Sequence, residues 1–270
     1  MDASGLPSGL RWVDAGNAGP FTLEGTRCHI VGRRRVAVVD PGPALPDHVD
    51  ALATAVAGAT EVVILLTHGH ADHAGAAATL AARVGAPVLG TWGSGEREGE
   101  SASLAADPPP ELAFRPLAEA ESVATDEGEL VAVRTPGHAR EHLVFHWPAR
   151  RTAFVGDLLL GSGETTWVGA YPGCVSDYFR SLARIEELEA QLLLPAHGPP
   201  IRDPRARIER FRAHRRGRLA QVERALAASS EATPEQLLGI VYGDSVPPTL
   251  LPAARASLSA LVEHVRRGEG

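Results

Sequence analysis

The chain has 270 residues, of which 44% are hydrophobic, and its net charge is −7 at neutral pH. This length predicts one large domain with a small addition, and no apolar run approaches the roughly 20 residues of a membrane span. Two cysteines are too few for a disulfide framework, and because all 26 basic residues are arginine, catalysis through a lysine Schiff base is excluded.

The N-terminal segment predicts no export. Residues 1–10 lack a basic segment followed by an apolar stretch, so we expect no signal peptide. Together with the low cysteine content, this predicts a protein of the reducing cytoplasm.

The first part of the chain predicts strands followed by helices. The first strands are rich in β-branched and apolar residues bounded by turn residues, and are expected at Leu10–Val13, Phe21–Val31 and Arg35–Val39. An amphipathic helix is expected over Pro46–Ala57. The apolar run Val62–Leu66 predicts a buried strand, and the alanine-rich stretch Ala76–Val84 predicts a helix.

The middle of the chain repeats this order. A short strand is expected at Pro87–Leu89, and a long surface loop or lid at Thr91–Pro110. Further strands are expected at Glu129–Arg134, His142–Trp147, Thr152–Val155 and Leu192–Leu194, with a helix over Val175–Ala190 before the last of them. Two runs of strands with helices after each predict two sheets packed face to face with helices outside.

From Asp203 onward the sequence has no strand signal. Helices are expected at Pro204–Ala228, Pro234–Tyr242 and Leu251–Arg267. We therefore predict two domains, residues 1–202 with the sheets and residues 203–270 as a small all-helical domain.

A cluster of histidine and aspartate follows the buried strand that ends at Leu66. It comprises His68, His70, Asp72 and His73, on the loop between that strand and the next helix. Neutral imidazoles and carboxylates are ordinary ligands of zinc and similar ions. One ion cannot easily take all four, so the spacing favours two neighbouring ions, with His68 and His70 on one and Asp72 and His73 on the other.

This His-x-His-x-Asp-His pattern after an apolar strand resembles the metallo-β-lactamase superfamily. Three later stretches resemble that family's remaining ligand loops in the same order. They are Thr135-Pro136-Gly137-His138, Phe154-Val155-Gly156-Asp157 and Pro195-Ala196-His197-Gly198.

The resemblance implies a fold and a complete set of ligands. The fold is an α+β, αββα sandwich. The first metal would be bound by His68, His70 and His138, and the second by Asp72, His73 and His197. Asp157 would bridge the two ions, which are expected to be Zn²⁺. A hydroxide held between two such ions is a nucleophile at neutral pH, and Asp72 would orient it as a catalytic residue.

Within the superfamily, the chain is most similar to lactamase-β-2-like proteins. The stretches that carry this similarity are residues 16–26, residues 177–182 and residues 214–222. The last of these resembles the linker helix into that family's winged-helix-like C-terminal domain, so the resemblance supports the predicted helical addition.

For the remaining candidate residues the sequence leaves more than one interpretation open. Asp40 is expected either to hold a metal-binding histidine by its second nitrogen or to cap a turn. His142 is expected to be an outer contact of the site, a proton donor to substrate, or a packed histidine at the start of a strand. Thr166, Trp167 and Tyr171 follow the bridging aspartate and would line the substrate pocket, although packing explains the aromatic residues equally well.

The segment Arg202–Arg224 holds nine arginines against three acidic residues. It is either a solvated helix face with Glu–Arg pairs or a surface that binds RNA phosphates.

The leading hypothesis is a dinuclear zinc hydrolase that cleaves an ester, thioester or amide-like bond of a small or carrier-bound substrate. The alternative is a metal-dependent endoribonuclease acting on single-stranded RNA, which the resemblance and the basic helix both favour. A third possibility, a binding protein with an inactive site, conflicts with the intact ligand set. No membrane partner is expected.

Overall fold

The structure is a computed structural model that describes residues 6–92, 108–110, 112–229, 232–243 and 246–268. Most of the loop expected at Thr91–Pro110 therefore lies outside the described residues. Within the described part of the chain, no helix combines the length and the apolar character needed to cross a membrane.

The described strands form two sheets. The first contains, in spatial order, β1 (Leu10–Asp14), β2 (Arg27–Val31), β3 (Arg35–Val39), β4 (Glu61–Leu66), β5 (Val88–Gly90) and β6 (Phe114–Pro116). The second contains β7 (Ser122–Thr125), β8 (Gly128–Arg134), β9 (Leu143–Trp147), β10 (Thr152–Gly156) and β11 (Leu192–Pro195), in the spatial order β11-β10-β9-β8-β7. Neighbours are antiparallel in β1–β3 and β7–β10, and parallel in β3–β6 and between β10 and β11.

Helices cover the outer faces of both sheets. They are α1 (Pro46–Val56), α2 (Ala71–Ala74), α3 (Ala77–Val84), α4 (Cys174–Glu187), α5 (Pro204–Ala228), α6 (Pro234–Tyr242) and α7 (Leu251–Arg267). Leu52 of α1 and Leu80 of α3 pack with Ile64 of β4 in one core cluster. Phe145 of β9 and Leu65 of β4 belong to a second cluster, between the sheets. The predicted α+β, αββα sandwich with a helical C-terminal region is therefore confirmed.

The C-terminal helices begin and end where the sequence predicts. Leu219 of α5 and Leu261 of α7 share a core cluster with Leu182 of α4 and Val155 of β10. The helical region is thus packed on the sandwich through a common apolar core. The division between residues 202 and 203 stays a prediction.

One predicted strand starts later than expected. Strand β2 begins at Arg27 and not at Phe21. The side chain of Asn17 forms hydrogen bonds with Thr26, the residue just before this strand, and so holds the preceding residues in a loop. Asn17 Oδ1 accepts a hydrogen bond from the Thr26 backbone N–H at 2.7 Å, and its amide donates to Thr26 Oγ1 at 3.0 Å. Leu23 and Gly25 have positive φ angles of 55° and 115°, which a strand does not permit. The result is a folded loop whose last residue, Thr26, forms an isolated β-bridge with His197, just beyond the edge strand β11 of the second sheet.

Candidate metal centre

The predicted metal ligands lie on four loops, each at the carboxyl end of a strand. The histidine–aspartate cluster follows β4, His138 follows β8, Asp157 follows β10, and His197 follows β11. The two sheets are joined at this edge, because the Leu143 backbone N–H donates to the Thr67 carbonyl oxygen at 2.8 Å. Side chains far apart in the sequence therefore converge on one place.

Three histidines form the first cluster. His68 Nε2 lies 2.9 Å from His70 Nδ1, and His138 Nε2 lies 3.1 Å from the same atom. Three nitrogens within a single ion's reach match a His₃ zinc site in number and type.

The second cluster combines a carboxylate with two histidines. Asp72 Oδ2 lies 3.2 Å from His197 Nε2 and 3.7 Å from His73 Nε2. The Asp72 side chain is 27% exposed, whereas those of His73 and His197 are fully buried. Asp72 is therefore the member of this cluster that solvent, and hence a substrate, can reach.

Asp157 lies between the two clusters. Its Oδ1 is 3.5 Å from His73 Nε2 and 3.3 Å from His197 Nε2, while its Oδ2 is 3.7 Å from His138 Nε2. One carboxylate oxygen therefore faces each cluster, which is the arrangement a bridging ligand requires.

The outward nitrogens of four histidines each face an oxygen atom. His68 Nδ1 lies 3.0 Å from Thr67 Oγ1, His73 Nδ1 lies 3.0 Å from Asp40 Oδ2, His138 Nδ1 lies 2.9 Å from the Trp167 carbonyl, and His197 Nδ1 lies 3.2 Å from the Gly25 carbonyl. When the outward Nδ1–H donates to such an oxygen, the inward Nε2 keeps its lone pair for a cation.

Asp40 holds His73 in place, which decides between its two readings. Its Oδ1 accepts from the Thr67 backbone N–H, and its Oδ2 accepts from Thr67 Oγ1, both at 2.8 Å. Asp40 has a φ of 50°, a conformation that aspartate and asparagine tolerate better than most residues. Its carboxylate thus orients one ligand directly and the loop of the others through Thr67.

Glycine is required at the end of β10. Gly156 has a φ of 49°, and a Cβ atom there would lie 2.6 Å from Thr67 Oγ1 and 2.9 Å from His142 Nε2. A side chain would therefore displace the residues that support His68, so this glycine allows β4 and β10 to approach at the site.

The hydrogen bonding of the buried side chains shows whether the site suits a metal ion. His73 Nε2, His197 Nε2 and Asp157 Oδ1 are buried and have no hydrogen-bond partner among the described residues. Buried polar atoms are almost always satisfied. Three such atoms facing one another fit a cation that coordinates them.

Charge differs sharply between the clusters. Burial, followed by repulsion from neighbouring histidines, holds the pKa of His68 well below its usual value, and burial and His138 lower the pKa of His70 to about 3. For His73 and His197, burial acts in the same direction, but nearby carboxylates, with Asp157 first, outweigh it and raise the pKa. Burial alone would raise the pKa of Asp72, but the neighbouring His73 and His197 lower it to about 2.

The residues expected to line the substrate pocket lie at different depths. The half-buried Trp167 ring is centred 6.1 Å from that of His70 and 5.9 Å from that of His138. Thr166 is buried, and its Oγ1 lies 3.4 Å from His138 Nδ1. Tyr171 is buried and donates to Asp177 Oδ2 at 2.8 Å. The geometry therefore favours Trp167 as a pocket wall and packing for Tyr171.

His142 is fully buried, which does not support its predicted role as a proton donor to substrate. Its Nδ1 lies 2.9 Å from Thr135 Oγ1, and its ring is centred 5.2 Å from that of His68. The side chain packs beneath the first cluster, so the packed and outer-contact readings fit it better.

Sequence reasoning missed several contacts that support the site. The backbone carbonyls of Gly25 and Trp167 leave no signal in a sequence, because any residue can supply them. Arg215, on α5, donates to the Thr166 carbonyl at 2.8 Å. Arg140, two residues after His138, lies over the Tyr171 ring with its Cζ 4.3 Å from the centroid.

Comparisons with known proteins agree with this geometry. The model of the metallo-beta-lactamase superfamily matches residues 22–197. The chain is 27% identical over 234 residues to a beta-lactamase-like protein 2 homolog of Caenorhabditis elegans, covering 85% of this chain and 75% of that protein. It is 31% identical over 224 residues to a protein of Aspergillus chevalieri named atrochrysone carboxyl ACP thioesterase, covering 81% and 66%.

A solved structure shares the fold over nearly the whole chain. A metallo-beta-lactamase family protein from Thermus thermophilus superposes with a TM-score of 0.75 at 24% identity, covering 97% of this chain and 94% of that one. The family match extends from the folded loop before β2 to His197. The chain therefore belongs to the metallo-beta-lactamase superfamily and is a hydrolase of that fold.

Proposed function

We propose that the protein is a dinuclear zinc hydrolase that cleaves an ester, thioester or amide-like bond of a small or carrier-bound substrate. The observation that carries this proposal is the position of Asp157, which presents one carboxylate oxygen to each of the two ligand clusters. A site for a single ion would need only one of the two ligand clusters.

Bound there, two divalent ions would lower the pKa of a water molecule to near neutrality and stabilise the charge that develops on the attacked group. The chain supplies the rest. Asp72 is partly exposed, and its carboxylate can accept a hydrogen bond from the attacking water and so orient it. The buried histidines keep the ligand atoms fixed through their outward hydrogen bonds.

The donor set favours zinc. It offers imidazole nitrogens and carboxylate oxygens, which suit zinc and several other divalent ions. Both cysteines, Cys28 and Cys174, are buried, and neither belongs to a described ligand cluster. The first cluster consists of histidines alone, whereas the resemblance implies that di-iron relatives usually place a carboxylate at the position of His70.

A carrier-bound thioester is the substrate class that we favour. The Aspergillus chevalieri relative is named as a thioesterase of a carboxyl ACP, and thioester cleavage needs no more than an activated water and a stabilised oxyanion. Trp167, beside His70 and His138, would pack against the acyl group. As part of this proposal we retain the cytoplasmic location and the division into residues 1–202 and 203–270.

An activity panel on zinc-loaded protein tests the proposal, with generic esters, acyl thioesters, lactones, a phosphodiester and single-stranded RNA. We expect turnover of the ester or thioester probes and background rates for Asp157→Ala. Asp47→Ala is the matched control, because Asp47 is exposed on the first turn of α1. Undiminished turnover by Asp157→Ala would exclude the mechanism.

The second candidate is an endoribonuclease that binds single-stranded RNA through α5. The supporting observation is that Arg205, Arg210, Arg216 and Arg224 are exposed on that helix. Arg207 and Arg215 instead donate to backbone carbonyls, and Arg212 pairs with Glu186 and Glu209. The basic segment is therefore only partly available to a ligand.

Salt dependence separates the two candidates. RNA held by arginines must bind more weakly as salt rises, because binding releases counterions. Replacing Arg205, Arg210 and Arg216 by glutamine should then reduce the slope of log affinity against log salt. RNA binding that is absent, or insensitive to both salt and these changes, removes this candidate.

A further inference from the structure

Arg215 is a buried cation. It lies on α5, is 3% exposed, and forms no ion pair with any carboxylate in the described part of the chain. Its Nε has no hydrogen-bond partner among the described residues. Burying a guanidinium whose charge is not balanced by a carboxylate costs stability. Its presence therefore points to a role other than stability.

The hydrogen bonds that Arg215 donates among the described residues go to one short segment. Its Nη2 donates to the Thr166 carbonyl at 2.8 Å and to Thr165 Oγ1 at 3.3 Å. Its Cζ lies 5.4 Å from the centre of the Tyr178 ring. The bond to the Thr166 carbonyl fixes the backbone immediately before Trp167.

The other side of the same segment contacts a metal ligand. The Trp167 carbonyl lies 2.9 Å from His138 Nδ1, and Thr166 Oγ1 lies 3.4 Å from that atom. His138 Nε2 in turn faces His70 Nδ1 in the first cluster. A single peptide unit thus separates the carbonyl that Arg215 holds from the carbonyl that orients His138.

The segment depends on such anchors for its position. Residues 157–173 connect β10 to α4 and belong to neither a helix nor a strand. Arg207 of α5 donates to the Leu160 and Gly163 carbonyls. Gly169 lies so close to α7 that a Cβ there would be 2.7 Å from the Ser257 nitrogen. The C-terminal helices therefore hold this connection from outside.

We propose that Arg215 is a positioning residue for the first metal ion, acting through Thr166 and Trp167 on the orientation of His138. This inference rests on the proposed metal centre. It assigns to the helical region a part in completing that centre, since α5 supplies the group that fixes an outer contact of a ligand.

The test measures stepwise metal affinity and not turnover, so it is independent of whether any substrate has been found. Zinc is titrated against a chromophoric chelator, and Co²⁺ spectra assign each step by reference to His70→Ala, which removes the first cluster, and His197→Ala, which removes the second. Circular dichroism and thermal unfolding of the metal-free proteins monitor the fold.

For Arg215→Met we expect a 10- to 100-fold weaker affinity at the first cluster, the usual effect of losing an outer contact, with the second cluster unchanged. The metal-free Arg215→Met protein should unfold at the wild-type temperature or above. Arg215→Lys keeps the charge but loses the planar fork, so its loss should be intermediate. Arg207→Met is the control on the same helix. Arg207 donates to the carbonyls of Leu160 and Gly163, which lie farther along the chain from Trp167, so both affinities should stay within about twofold.

Three outcomes would overturn the inference. The first is wild-type affinity at the first cluster in folded Arg215→Met. The second is an equal loss of affinity at both clusters. The third is a loss of affinity in Arg207→Met equal to that in Arg215→Met. Each of these would mean that Arg215 contributes only to general packing. If Arg215→Met does not fold, the comparison between Arg215→Lys and Arg207→Met decides in the same way. Wild-type protein that binds no zinc would instead refute the proposed function.

Discussion

The two ligand clusters of this protein share Asp157 but differ in charge and in what holds them. The first consists of three histidines whose pKa values are lowered, mainly by burial. The second pairs two histidines of raised pKa with carboxylates. Its His73 is oriented by a buried carboxylate, Asp40, whereas in the first cluster His68 and His138 face a hydroxyl and a backbone carbonyl.

This difference shows that Asp157 joins two candidate metal sites whose charge and outer hydrogen bonds are set by different residues. The neutral cluster is ready to bind a cation without first losing protons. In the second cluster, carboxylate oxygens lie 3.2–3.7 Å from histidine nitrogens of raised pKa, so its charges are of opposite sign. Changes outside the ligand set should therefore affect the two sites unequally.

The largest expected effect comes from Asp40→Asn. Asparagine tolerates the positive φ of Asp40, but it offers one acceptor oxygen where the carboxylate accepts from Thr67 N, Thr67 Oγ1 and His73 Nδ1. We expect 10- to 100-fold weaker zinc binding at the second cluster and a smaller loss at the first, through Thr67 and His68. Stepwise zinc titration measures both.

Asp47→Asn is the control for this change, because the Asp47 side chain is exposed. A larger loss at the first cluster than at the second would show that Asp40 acts mainly through Thr67, contrary to the comparison.

The second prediction concerns pH. In the metal-free protein the raised pKa values mean that His73 and His197 still hold protons at a pH where free histidine has begun to lose them, so metal must displace those protons. The lowered pKa values of His68, His70 and His138 mean that these histidines are already neutral. As pH falls, affinity at the second cluster should therefore weaken first, by about tenfold per pH unit for each proton displaced.

Calorimetry in two buffers of different ionisation enthalpy counts these protons. We expect proton release when the second cluster is filled and little when the first is filled. Equal release in both steps would contradict the assignment of charge.

The smallest expected effect comes from Trp167→Phe. This change alters a side chain beside His70 and His138 but leaves the candidate metal ligands themselves in place. The backbone carbonyl that orients His138 is retained, so zinc content should not change. Phenylalanine keeps a ring but gives a smaller contact than the indole. A full aromatic contact is worth about 0.5–1.5 kcal/mol, so its partial loss should raise KM for a cleaved acyl substrate by about two- to fivefold. Trp92→Phe is the matched control, because Trp92 is buried against Phe114; an equal rise there would remove the pocket role.

Much of the fold was predictable because its elements have strong local signals. Pro204–Ala228 begins with proline after an aspartate cap, and the Asp203 side chain does accept from Ala206 N at 3.0 Å. Strands β6 and β7 were not predicted. Phe114–Pro116 is mostly exposed, and Ser122–Thr125 has Val123 as its only large apolar residue. Neither has an apolar run like those that marked the equally short β5 and β11.

The site was predictable to the extent that its chemistry resides in side chains. The seven candidate ligands lie in recognisable local patterns, and the structure brings all seven together. The backbone carbonyls of Gly25 and Trp167 were not predictable, because they depend on tertiary contact alone. Arg215 appeared as one of many arginines, and only its burial distinguishes it from the exposed Arg216 beside it.

Anomalous X-ray diffraction at the zinc edge, on crystals of protein purified without chelator, tests the central claim most directly. The account predicts two peaks, one among His68, His70 and His138 and one among Asp72, His73 and His197, with Asp157 contacting both. A hydrolytically active crystal form with one peak, or with none between these side chains, would contradict it.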